Sequence, residues 1–82
     1  MHAIYKYYCI EQPKENGIVY RDTSDFEDLT KAELLECLKS LYGSNATVHL
    51  FKDRSDLQKF VEGFWHSRGY KNYTMAPPRS GR

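Results

Sequence analysis

The chain has 82 residues, 40% of them hydrophobic, 28% charged and 15% aromatic. This length holds one domain with a thin core, and this composition excludes a disordered chain. A formal net charge of +1 excludes both a polybasic nucleic-acid arm and an acidic mimic of DNA.

The first strand is expected over residues 2–11, around the stretch AIYKYYCI. A half-buried strand alternates apolar and polar residues, but this one is apolar on both faces. A turn through Pro13 that ends in Asn16-Gly17 leads to GIVYRD, residues 17–22. The short connection makes the two strands an antiparallel hairpin. The acidic run that follows, DTSDFED, lacks the glycine and the terminal glutamate of a calcium loop. It reads as a solvated loop whose charge favours the start of the next helix.

That helix begins after Thr30, with Glu33 three residues on, a capping box. Leu34, Leu35, Leu38, Leu41 and Tyr42 recur at helical spacing, and Gly43 is placed to end the helix. Residues 46–52, ATVHLFK, alternate cleanly and predict a third strand. Ser55 and Gln58 suggest a second capping box. Leu57, Phe60, Val61, Phe64 and Trp65 then form a broad apolar stripe. Gly63 inside this stripe suggests a close approach of helix to sheet, while Arg68 and Gly69 suit its end. After Gly69 the chain loses periodicity. Residues 1–74 read as one compact domain and 75–82 as a flexible basic tail.

The order β-β-α-β-α predicts an α+β fold: a two-layer sandwich with a three-stranded antiparallel sheet in order 2-1-3. Two helices on so small a sheet are expected to share one face, leaving the other open. Because Lys6 should avoid the core, the outward set is Ile4, Lys6, Tyr8, Ile10, Ile18, Tyr20, Thr47, His49 and Phe51. An apolar patch of this kind asks for a cover. Three covers are open: the returning segment YKNYTM with Tyr70, Tyr73 and Met75, a second copy of the chain as a homodimer, or a different molecule.

Chemical signatures are sparse. His2, His49 and His66 have no spaced ligand partner, so no metal site is expected. Cys9 and Cys37 form no C-x-x-C pair and no disulfide scaffold; they read as buried hydrophobes in a reducing cytoplasm. No phosphate-cradling glycine motif occurs, and no cofactor is expected. No run approaches the ~20 apolar residues of a membrane span, and no membrane partner is expected.

Charge, however, is sorted along the chain. Residues 22–51 carry six acids and two bases, whereas residues 52–82 carry seven bases and three acids. These features predict a non-enzymatic protein-interaction module, a regulator, adaptor or inhibitor of the phage or mobile-element accessory kind. Its partner would be another protein or its own copy. The expected contact residues are Lys6, Tyr8, Ile10, Tyr20, His49 and Phe51 on the sheet face, with Arg54, Arg68 and Lys71 supplying positive charge. The alternative is single-stranded nucleic acid, its bases stacked on Tyr8, Tyr20, His49 and Phe51. No RNP1-type pattern and no fourth strand accompany that platform.

Overall fold

A computed structural model describes residues 4–15, 17–26 and 28–79. Three strands, β1 (Tyr7–Gln12), β2 (Gly17–Asp22) and β3 (Thr47–Phe51), and two helices, α1 (Lys31–Tyr42) and α2 (Arg54–Ser67), follow in the expected β-β-α-β-α order. The sheet is antiparallel in order β2-β1-β3, so the most apolar strand is central. Short 3-10 turns lie at Pro13–Glu15 and Ser24–Phe26.

The register decides which residues share a face. Tyr8 lies opposite Arg21 and Leu50, and Ile10 opposite Val19 and Val48; Cys9 lies opposite Tyr20 and His49, and Tyr7 opposite Phe51. Directly paired residues project to the same side of a sheet. One side therefore carries Tyr8, Ile10, Val48 and Leu50, packed against Leu34 and Leu38 of α1. The other carries Tyr7, Cys9, Ile18, Tyr20 and Phe51, packed against Leu57 and Val61 of α2.

The two helices thus do not share a face, as the small sheet led one to expect, but cover one face each. The sheet is the middle of three layers rather than one side of a two-layer sandwich. The reason is already present in β1, whose Tyr8, Cys9 and Ile10 are all fully buried. A strand covered on both sides has no polar alternation to display.

Local signals explain the helices only in part. At α1 the capping box forms: Glu33 donates its N–H to Thr30 Oγ1 at 3.2 Å, and Thr30 donates its N–H to Glu33 Oε1 at 2.9 Å. The Thr30 N–H, followed by the Thr30 hydroxyl, holds the Glu33 carboxyl below its ordinary pKa. Gly43, at φ 101°, ends the helix by donating to the Lys39 carbonyl at 2.8 Å. At α2 the expected Ser55–Gln58 box is replaced by an earlier start after Asp53, without a side-chain cap. Gln58 instead donates to Glu62 Oε2 at 3.0 Å, one turn on.

The C-terminal segment is part of the fold as far as it is described. Met75 is buried beside Cys9, Leu57 and Val61, and Tyr73 packs against the same cluster. Glu62 Oε2 accepts the Met75 N–H at 3.0 Å, His66 Nε2 donates to the Tyr73 carbonyl at 2.9 Å, and Asp22 donates its N–H to the Arg79 carbonyl at 2.8 Å. Residues 75–79 thus hold a docked path instead of the loose tail expected from composition; residues 80–82 lie outside the described residues.

Candidate functional site

The nine residues expected to form a contact face are dispersed by this architecture. Tyr8 and Ile10 are wholly inaccessible beneath α1. The Tyr8 hydroxyl lies 3.0 Å from that of Tyr42, and its ring meets Phe26 edge-on at 6.4 Å. Burial, with the neighbouring Tyr42, pushes the Tyr8 phenol well above its ordinary pKa, so it stays neutral and serves as a core hydrogen-bonding group.

Tyr20 lies on the opposite face under the returning segment. Its hydroxyl donates to the Ala76 carbonyl at 3.2 Å and accepts the Ala76 N–H at 3.1 Å. The Phe51 ring packs, tilted, against that of Phe60 of α2 at 5.5 Å. His49 lies 4.5 Å from the same ring and donates from Nε2 to Glu11 Oε1 at 2.6 Å. The platform that would stack bases is therefore occupied by protein.

The cations do not converge either. Lys6, Arg54, Arg68 and Lys71 are all exposed. Arg54 opens α2 and Arg68 follows its last residue, which separates them by about 21 Å at 1.5 Å per residue. The Arg68 guanidinium lies 3.6 Å over the Phe64 ring at the far end of that helix.

What the fold does bring together is the free edge of β3. The Phe51 carbonyl accepts the Lys6 N–H at 2.9 Å, so Phe51 directs its backbone groups toward the β1 side. Successive residues of a strand direct their N–H and C=O groups alternately to the two sides. On β3, Thr47, His49 and Phe51 then face β1, and Val48 and Leu50 direct their N–H and C=O groups away from the sheet. No other described strand pairs with that edge.

The edge is sunk between the two helices. Val48 to Phe51 floor a groove of about 410 Å³, with Lys31 and Leu35 of α1 on one wall, Phe60 of α2 on the other and Tyr5 at one end. Tyr5 is flanked by two cations, Lys31 Nζ at 5.3 Å and Lys52 Nζ at 6.0 Å from the ring centre. The sequence offered one hint of this site: strand order 2-1-3 leaves β3 outermost. Tyr5, Lys31, Leu35 and Phe60 were not foreseeable, because they meet only when the helices take opposite faces.

Outside the groove there is little reactive chemistry. Cys9 and Cys37 are free thiols in separate clusters, and burial pushes Cys9 up to about 12. Among the described residues no group of three or more His, Cys, Asp or Glu side chains is arranged to hold a metal ion, and no helix is long and apolar enough to cross a membrane. No family model, no curated protein and no solved structure matches this chain.

Proposed function

We propose that this chain is a small non-enzymatic interaction module, a regulator, adaptor or inhibitor of cytoplasmic proteins, that binds a partner by strand addition along β3. One observation carries the reading: the outward N–H and C=O groups of Val48 and Leu50 lie in a groove with side chains on both sides. An extended segment entering it would satisfy those groups, and its alternate side chains would meet Leu35 on one wall and Phe60 on the other. Main-chain bonds then supply affinity, and the walls supply selectivity.

The test is a selection of displayed random ten-residue peptides on the intact chain, followed by amide hydrogen exchange with and without a selected peptide. Before binding, the Val48 and Leu50 amides should exchange faster than those of Thr47, His49 and Phe51. Selective slowing of Val48 and Leu50 by the peptide supports the reading. Peptides that protect other surfaces, or a selection that yields no binder, overturn it.

The nucleic-acid alternative predicts that a labelled single-stranded oligonucleotide gains anisotropy on titration, steeply weakened by salt. With Tyr8 beneath α1 and Phe51 against Phe60, flat anisotropy at low and at physiological salt is the expected result.

A further inference from the structure

We infer that the segment taken up along β3 carries a carboxylate side chain at the end that meets Lys31 and Lys52, with apolar side chains at alternate positions behind it. This rests on the strand-addition reading above and adds the chemistry of the partner. Lys31 and Lys52 approach one ring, that of Tyr5, from separate elements. Neither has a carboxylate within ion-pair distance among the described residues, where the one such contact is His49 with Glu11. Two like charges held near one ring, with no carboxylate paired to either among the described residues, favour an incoming anion.

The other end of the groove lacks this pair of cations. Glu11 lies opposite Thr47, at the start of β3, and its carboxylate is held by His49 Nε2 at 2.6 Å. The groove is therefore polarised along the strand, with both lysines gathered at its Tyr5 end. Between the ends its walls are apolar, with Leu35 and Phe60 facing the guest from either side.

A second copy of the chain fits less well. Its own β3, Thr47–Phe51, contains no acid and so brings no carboxylate to the lysines. It would also bring its own two helices, wall against wall, before its strand reached the ~4.8 Å spacing of a ladder. A single extended stretch of a different protein meets neither obstacle.

Three labelled hexapeptides test this: E-V-T-V-T-V, V-T-V-T-V-E and the neutral Q-V-T-V-T-V, with blocked termini, titrated by anisotropy. One acid-ended peptide should bind about tenfold tighter than the neutral one, which is what two modest ion pairs supply. The two acid-ended peptides should differ from each other, because the guest has one direction. In the variant Lys31→Gln/Lys52→Gln the acidic preference should vanish while the neutral peptide binds as before. Both lysines are exposed, so the variant should fold, and a circular dichroism melt checks this. Equal binding of all three peptides, with Val48 and Leu50 still protected from exchange, overturns the carboxylate inference and leaves strand addition standing. Absence of protection by any peptide overturns both.

Discussion

Gly63 lies in the middle of α2 yet is exposed, and a methyl group built there meets no atom within 4 Å. The close approach to the sheet that a helical glycine suggests does not occur. Glycine inside a helix costs roughly 0.5–1 kcal/mol relative to alanine because its unfolded backbone is freer. Gly63→Ala should therefore raise stability by about that amount in a urea melt. A loss of stability would mean the position is strained in a way the geometry does not indicate.

Glu62 makes the opposite kind of local contribution. The Met75 N–H, followed by the Gln58 amide, holds its carboxyl below the ordinary value of 4.5. A depressed folded pKa contributes stability above the unfolded value, and that contribution is lost as pH falls through the folded one. Docking of the C-terminal segment should thus be intact at pH 6 and weaken below about pH 4.5. The Met75 amide resonance, followed from pH 6 to 3, should move with the Glu62 titration; a resonance that stays put would remove the link.

At the scale of elements, β1 carries the fold because both helices pack on it. Tyr8 is wholly buried under α1 and Leu57 wholly buried in α2, on opposite sides of the sheet. Truncating a large buried side chain costs about 2–5 kcal/mol through lost transfer energy and residual cavity. In a domain of this size that is a large part of the total. Tyr8→Ala and Leu57→Ala should each lower the melting midpoint sharply. A sheet with an open face would respond differently: Tyr8→Ala would leave folding unchanged. Equal sensitivity on both sides is the signature of three layers, and chemical denaturation of the two variants measures it.

Across the whole molecule, the docked C-terminal segment completes the second layer. Met75 and Tyr73 close the cluster around Cys9, and Tyr20 grips Ala76 through both of its backbone groups. A chain ending at Asn72 would lose the buried Met75 side chain, worth about 1.5–3 kcal/mol, along with these bonds. It should unfold at lower denaturant. In the intact chain Cys9 is fully buried with its thiol pushed up to about 12, so a thiol reagent at pH 8 should spare it. In the shortened chain Cys9 should react. An unreactive Cys9 in both forms would show that α2 alone seals that face.

The order of elements, the hairpin, the first capping box, the glycine stop at Gly43 and the placing of β1 between its neighbours were all legible in the amino-acid sequence. Each of these rests on residues a few positions apart, or on the apolar excess that a central strand must carry. The side of the sheet that each helix covers was decided only in the tertiary structure. That choice depends on which residues of β1 and β3 stand directly opposite each other, and a strand apolar on both sides is compatible with either arrangement. Once Cys9 pairs with His49 and Ile10 with Val48, the expected binding face becomes two core faces. The accessible chemistry then moves to the edge of β3, where Lys31 and Phe60, 29 positions apart in the sequence, become opposite walls of one groove.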